Sequence, residues 1–409
     1  MSGGEEVSVR GIAGGGDGVA QMADGRTVFI PRSAVDDRIR LRAVRKQSRF
    51  ARAEIGDLIE AGPGRIDPPC PHYVRDRCGS CQLMHLDATV QRGAKATIAG
   101  DALRRIARIA MDDPPIVAAP TQFGYRSKVT LTVRGDRIGY RRYNDPDDVF
   151  DVRECPIAEP AVQQLIAGLR TGRRHLPRDA TRVVLRRDRN DGLHIIVRTG
   201  EAAPWTGGRA LHMHFHSMQL EVTVWWHPEG GAPRAVAGSD DPWPATVFEQ
   251  VNPAVGRLVR EHAVDALGDV SGVHVWDLYS GIGETTAMLA GRGASVESVE
   301  RDTRAVAAAT RVGPVGPLRH SGTAEETTVR LRAPGAIVAN PPRTGLPAEV
   351  LTAVATSGAD RVVYISCDPA TLSRDIGRMA DTYELRRPTL FDQFPQTAHL
   401  ETVAVLERR

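Results

Sequence analysis

Hydrophobic and polar positions follow three different rhythms along the chain. Over residues 1–60, short alternating runs such as Val7-Ser8-Val9-Arg10-Gly11-Ile12 and Thr27-Val28-Phe29-Ile30 are cut by Gly-rich turns. That rhythm predicts a small β-barrel. Gly14-Gly15-Gly16-Asp17-Gly18 is one of the turns; no helix signal follows it, so it reads as a tight turn and not a phosphate cradle. Residues 61–245 begin Pro- and Cys-rich, pass through a helical stretch at 87–109, and continue as strands near 128–133, 181–197 and 220–226. This predicts a mixed α+β central domain, mostly antiparallel sheet, that exits at the Pro-rich segment Asp241-Pro242-Trp243-Pro244. From 246 onward, strand-like runs at 273–279, 294–300, 336–339 and 361–367 alternate with helical ones. Alternation of that kind predicts an α/β fold with a parallel, doubly wound, Rossmann-like sheet.

Composition narrows the class. The 409 residues suffice for two or three domains, and a hydrophobic share of 41% can fill their cores. No apolar stretch approaches 18 residues and the amino terminus has no signal-peptide pattern, so a cytoplasmic protein without membrane contact is expected. No obligate protein partner is evident. The net charge of +3 says little, but residues 26–52 hold nine Arg or Lys against two Asp. Such a run suits a polyanion or, equally, a solvated barrel face. The five cysteines are Cys70, Cys78, Cys81, Cys155 and Cys367. An odd count in a cytosolic chain argues against a disulfide framework.

Two features of the last domain point to a nucleotide-type cofactor. The first strand runs into Asp277-Leu278-Tyr279-Ser280-Gly281-Ile282-Gly283-Glu284, where the glycines allow close approach of backbone to ligand. Glu300 closes the next strand, 19 residues after Gly281, where a carboxylate can accept from ribose hydroxyls. A dinucleotide fingerprint needs a third glycine where Thr286 stands. S-adenosylmethionine has no pyrophosphate and no such need, so it is the favoured ligand. Asn340-Pro341-Pro342-Arg343 ends a third strand in a stiffened loop, with Asn340 a candidate base or cofactor contact.

Cys367 closes the apolar run 361–367 and opens the turn Asp368-Pro369-Ala370-Thr371, at the strand end that faces the ligand crevice. A thiol there is a small buried hydrophobe or a nucleophile. C5 of uracil is a weak nucleophile until a thiolate adds to C6, and the methylated adduct then needs a base to take the C5 proton. Glu401, just before the closing apolar strand, is the candidate base.

Phe248-Glu249-Gln250-Val251-Asn252, the 279–283 loop, Asn340-Pro341-Pro342-Arg343, Ser366-Cys367-Asp368-Pro369 and the 395–401 segment occur in order. Together they resemble the RNA uracil-C5 methyltransferase family, which makes 5-methyluridine in transfer or ribosomal RNA, over nearly the whole chain. The resemblance implies that Cys367 is the nucleophile, that Glu401 is the base, and that Gln250, Tyr279, Gly281, Gly283, Glu284, Glu300 and Asn340 lie at the methyl donor. It also implies an amino-terminal TRAM domain, an RNA-binding barrel. The partner expected is RNA, ribosomal or transfer; Tyr125-Arg126-Ser127-Lys128 reads as an RNA contact or, about equally, as a plain strand edge. The chain departs from the family where Asn340 replaces the usual Asp, Glu284 a frequent Asn, Thr323 an Asp or Asn, and Ser280 a frequent Cys.

Cys70, Cys78, Cys81 and Cys155 make a four-thiolate set with a single Cys-x2-Cys pair. Structural zinc and an iron–sulfur cluster both use four thiolates. The run Cys78-Gly79-Ser80-Cys81-Gln82-Leu83-Met84-His85-Leu86 resembles the cluster-bearing members of the family, which implies a 4Fe-4S cluster. Two rival functions remain: N-methylation through the Asn-Pro-Pro loop, where Arg343 replaces the stacking aromatic, and a non-catalytic RNA-binding iron–sulfur protein.

Overall fold

The computed structural model describes residues 4–201, 205–239 and 245–409. The expected boundary at 241–244 lies outside the described residues. The chain forms two compact units, one of Met1–Asp67, Gln82–Pro120 and Val255–Arg409, the other of Pro68–Cys81 and Thr121–Ala254. These units cut across the three consecutive segments (1–60, 61–245, 246–409) that the sequence suggests. The stretch 82–120 joins the first unit because Ile116–Val117 adds a parallel strand beside Thr389–Phe391, and the Ala88–Ala102 helix packs on the Pro369–Met379 helix. No helix among the described residues is long and apolar enough to cross a membrane.

The first unit opens with a closed barrel of five strands, Glu6–Ile12, Gly18–Gln21, Thr27–Ile30, Arg38–Lys46 and Phe50–Glu60. Closure comes from antiparallel pairing of the first strand with the fourth, Glu6 opposite Arg40. Period-two alternation sends Val7, Val9, Val28, Ile30, Ile39 and Leu41 inward. The basic run of 26–52 is less positive than its composition suggests. Six of its nine cations meet barrel carboxylates: Arg26 and Lys46 at Asp24, Arg38 and Arg40 at Glu6, Arg42 at Glu54, and Arg52 at Asp17.

Five parallel strands follow, in the spatial order Leu318–Ser321, Ser295–Glu300, His274–Leu278, Ala336–Ala339, Arg361–Ser366. The antiparallel Glu401–Arg408 strand pairs with the last of them. Strand order reverses at His274–Leu278, so the crevice for a ligand opens beyond its carboxyl end. Both faces are covered. Trp276, Leu278, Ile337, Ala339, Val362 and Tyr364 face one core with the Ala348–Thr356 and Pro369–Met379 helices. Val275, Val338, Val363 and Ile365 face the other with the Pro253–Asp265 helix. Burying each such aliphatic side chain is worth roughly 1.5–3 kcal/mol. Tyr364 is fully buried, and its hydroxyl donates to Asp375 at 2.8 Å, which ties the Pro369–Met379 helix to the sheet beneath residue 367.

The second unit is built on a seven-stranded sheet, in spatial order Arg234–Ala237, Val222–Pro228, Leu193–Thr199, Ala180–Arg187, Lys128–Arg134, Arg137–Arg141, Val149–Asp151. It is antiparallel except where Leu193–Thr199 meets Val222–Pro228. That pair is parallel because the Gly208–Ser217 helix carries the chain back over the sheet.

Candidate active site

Cys367 stands between the Arg361–Ser366 strand and the Pro369–Met379 helix. Asp368 caps that helix by accepting from the Thr371 amide at 2.8 Å, and Pro369 occupies its first turn. The Ser366 hydroxyl donates to the Asp368 carbonyl at 3.1 Å and tightens the turn. The thiol is therefore presented at a strand's carboxyl end and is only partly buried, whereas the other four cysteines are buried.

Sheet register brings the candidate base to it. Glu401 begins the strand antiparallel to Arg361–Ser366, with Ile365 opposite Val403 and Ser366 opposite Thr402. One step further along the ladder sets Cys367 beside Glu401. The carboxyl of Glu401 is only 3% exposed, and burial pushes it up to about 8, with the Arg343 guanidinium opposing. Burial also pushes the Cys367 thiol up, and the Glu401 carboxylate adds to the rise. Arg343 lowers it by charge and by a hydrogen bond to the thiol. A thiol and a carboxyl thus share one cation, which favours the ionised form of both. In the sequence Arg343 stands out only as the residue in an aromatic's place. The available signal was the Pro341-Pro342 pair just before it, which fixes where that side chain starts.

Cys367 and Arg343 open onto a cavity of about 1040 Å³. Arg10, Arg49, Phe29 and Phe50 of the barrel and Arg105 also line it. The rings of Phe29 and Phe50 meet edge to face at 5.7 Å. Guanidinium groups and aromatic rings along one cavity are the components of a nucleotide site.

The glycine loop lies at the carboxyl end of His274–Leu278. Tyr279, Gly281 and Gly283 all have positive φ, 63°, 56° and 77°. Glycine is needed at 283, where φ favours it and an added Cβ would press on Ala309 at 3.2 Å. Glu300 spans the loop: one carboxylate oxygen accepts from the Gly281 amide at 2.9 Å, the other from the Asp302 amide at 2.8 Å. Each oxygen keeps a lone pair for a ribose hydroxyl. The Tyr279 hydroxyl is buried without a hydrogen-bond partner, and the Asn340 amide donates to the Leu278 carbonyl at 3.1 Å. The Glu300 carboxylate at an open glycine turn fits an adenosyl ligand, whereas the charges acting on the Tyr279 hydroxyl are those of Glu325 and Asp375. Replacing Glu300 by Gln puts a donor where an acceptor is required, and S-adenosylmethionine affinity in calorimetry is expected to fall about tenfold. Unchanged affinity would remove Glu300 from the site.

The other expected positions are distributed unevenly. Glu284 is engaged by Arg260 at 2.9 Å, and so serves the loop's anchorage. Thr323 caps a short helix by accepting from the Glu326 amide at 3.3 Å, which keeps the capping role of an Asp. Gln250 belongs to the second compact unit, apart in the chain from the residues just described. In that unit the Ser127 amide donates to the Val251 carbonyl at 2.8 Å, and Arg186 binds Glu249.

Cys70, Cys78, Cys81 and Cys155 all fall in the second unit, each under 9% exposed. Burial pushes Cys78 up to about 11 and raises Cys81 and Cys155, and the thiols reinforce one another's rise, so they converge on one volume. The Tyr140 hydroxyl donates to the Cys155 sulfur at 3.6 Å. As placed, however, no group of three or more His, Cys, Asp or Glu among the described residues has the geometry of a metal site. The donor set matches a four-thiolate centre in kind.

A family model described as tRNA (Uracil-5-)-methyltransferase matches residues 329–409, the segment that holds Asn340, Arg343, Cys367 and Glu401. A 23S rRNA (uracil(1939)-C(5))-methyltransferase RlmD of Acidithiobacillus ferrooxidans is 31% identical across 99% of this chain and 97% of that relative. The chain belongs to the RNA uracil-C5 methyltransferase family. Another family relative, an uncharacterized RNA methyltransferase of Gloeobacter violaceus, is 31% identical over 98% of this chain and 96% of its own. The fold is that of a crystal structure of the Pyrococcus abyssi tRNA (uracil-54, C5)-methyltransferase in complex with S-adenosyl-L-homocysteine. That match has a TM-score of 0.74 at 20% identity, covering 98% of this chain and all of that one.

Proposed function

We propose that this protein methylates C5 of a uridine in 23S ribosomal RNA. The observation that carries the reading is the placement of Cys367 and Glu401 at the paired ends of neighbouring strands, beside one guanidinium and open to a nucleotide-sized cavity. An extruded uridine enters that cavity with its phosphates among Arg10, Arg49 and Arg105. The barrel is the TRAM domain, and Phe29 and Phe50 give a neighbouring base a surface for stacking. Cys367, as thiolate, adds to C6, and the ring's electrons move onto O4. S-adenosylmethionine, which Tyr279, the glycine turn, Glu300 and Asn340 would hold, supplies the methyl: C5 attacks it, the bond from the sulfonium sulfur to that methyl breaks, and S-adenosylhomocysteine leaves. Glu401 takes the C5 proton, the C6–S bond breaks, and Cys367 leaves as thiolate. Arg343 holds charge near the thiolate and the carboxylate through these steps.

Cys70, Cys78, Cys81 and Cys155 would hold a 4Fe-4S cluster once the thiols deprotonate and close on it. The cluster would brace the second unit for RNA, and no step above passes through it. An anaerobically purified protein with about four irons and four acid-labile sulfides would support this; zinc in their place would refute it.

Full-length similarity to relatives named for 23S ribosomal RNA favours that substrate over transfer RNA. N-methylation is disfavoured because Arg343 is engaged with the thiol and offers no aromatic face to a target amine. Nucleoside mapping of both RNAs from a deletion strain tests the assignment. A single missing 5-methyluridine in 23S RNA is expected; a loss confined to transfer RNA would overturn it.

A further inference from the structure

Helix Ala88–Ala102 carries two polar side chains that the reaction scheme does not use. Gln91 is 1% and Lys95 0% exposed. Four residues apart, they share one face of the helix. Both face the segment 392–398, which leads into Glu401. The Lys95 ammonium donates to the Asp392 carboxylate at 2.5 Å and to the Phe394 carbonyl at 3.0 Å. Gln91 and Gln396 bond reciprocally: the Gln396 amide nitrogen donates to the Gln91 side-chain oxygen at 2.9 Å, and the Gln91 side-chain nitrogen donates to the Gln396 side-chain oxygen at 3.0 Å. The Leu83 amide donates to the Gln396 carbonyl at 3.0 Å.

This grip holds a conformation the segment would not keep alone. Gln396 has a φ of 71°, a left-handed value unfavourable for a residue with a side chain. It is 3% exposed, so water cannot replace the bonds from Gln91 and Leu83. Beyond the kink, Ala398, His399 and Leu400 line the cavity with Cys367, and Glu401 begins its strand. Helix and segment lie about 300 residues apart in sequence and in one compact unit.

We propose that Gln91 and Lys95 are positioning residues that set the Glu401 carboxyl for removal of the C5 proton, acting through the segment 392–400. The proposal rests on the reading of Glu401 as the base. If it holds, loosening the grip slows proton removal and leaves thiol addition and methyl transfer in place. The methylated RNA then stays joined to Cys367 longer.

The test is single-turnover methylation by full-length Gln91→Leu and Lys95→Met proteins with radiolabelled S-adenosylmethionine. It follows free methylated RNA and the SDS-resistant RNA–protein adduct. A misplaced reacting group costs up to about 10²-fold in rate, so release of product is expected to slow by up to about that factor. The adduct fraction is expected to rise, with KM for RNA unchanged. A purely structural role would lower activity in proportion to folded protein and leave the adduct fraction alone, and that result would overturn the proposal. Should Lys95→Met fail to fold, Gln91→Leu, which strands no charge, decides the matter. Glu401→Gln is the reference. If it accumulates no adduct, the reading of Glu401 fails first; if it does while the helix variants do not, only this inference fails.

Discussion

Replacing Cys367 with Ala is expected to abolish methyl transfer, by on the order of 10⁴-fold or more, because without a thiolate at C6 the uracil C5 has no way to become a nucleophile. RNA binding and S-adenosylmethionine binding are expected to stay near wild type, since the proposed phosphate and ribose contacts come from other residues. Thermal stability changes little, because the side chain is only partly buried and the turn is held by Ser366 and Asp368 instead. Filter-binding methylation assays with differential scanning calorimetry check both halves. Retained activity would return the thiol to the role of a small packing residue.

Replacing Glu401 with Gln is expected to lower turnover by about 10²–10⁴-fold, the usual contribution of a positioned base. Its signature differs from that of Cys367→Ala: one methyl is transferred per enzyme, and the RNA stays attached. The pH behaviour follows from burial. The carboxyl of Glu401 sits at about 8 in the folded protein against an ordinary 4.5, so the fold binds its proton more tightly than the unfolded chain does. Its contribution to stability is full below the ordinary value and is lost as pH rises through about 8. Asp277, pushed by burial to about 7 and accepting from the Thr286 hydroxyl at 2.5 Å, acts in the same direction. The melting temperature therefore falls between about pH 5 and 8, and Glu401→Gln makes that fall shallower. Activity runs the other way, since kcat/KM rises toward pH 8 as the base ionises. A melting temperature equally steep in wild type and Glu401→Gln would contradict the assignment of the group.

Much of this site could be read from the chain because its parts lie at the ends of strands. Continuous apolar runs at 273–279, 336–339 and 361–367 announce buried parallel strands, and in such a sheet the residues just past each run reach one edge. Cys367, Glu300, Asn340 and the 279–283 loop all sit at such strand ends. Partners that depend on register or on distant packing could not be read that way. Nothing local says that Glu401 pairs one step beyond Ser366 and Thr402, or that Arg343 serves both the thiol and the carboxyl. The Ala88–Ala102 helix, assigned by position to a central domain, packs in the first unit because buried polar contacts with 392–396 hold it there. The ion pairs of the cationic run at 26–52 are hidden for a related reason: the acids that meet it come from neighbouring strands and turns, which composition over a window does not reveal.

The most direct measurement uses an RNA with 5-fluorouridine at the target position. Fluorine at C5 cannot be taken as a proton by Glu401, so the methylated adduct has no exit. After incubation with S-adenosylmethionine and digestion, mass spectrometry is expected to find the methylated nucleotide on the peptide containing Cys367. A different attachment site, or none while ordinary uridine RNA is still methylated, would contradict the account.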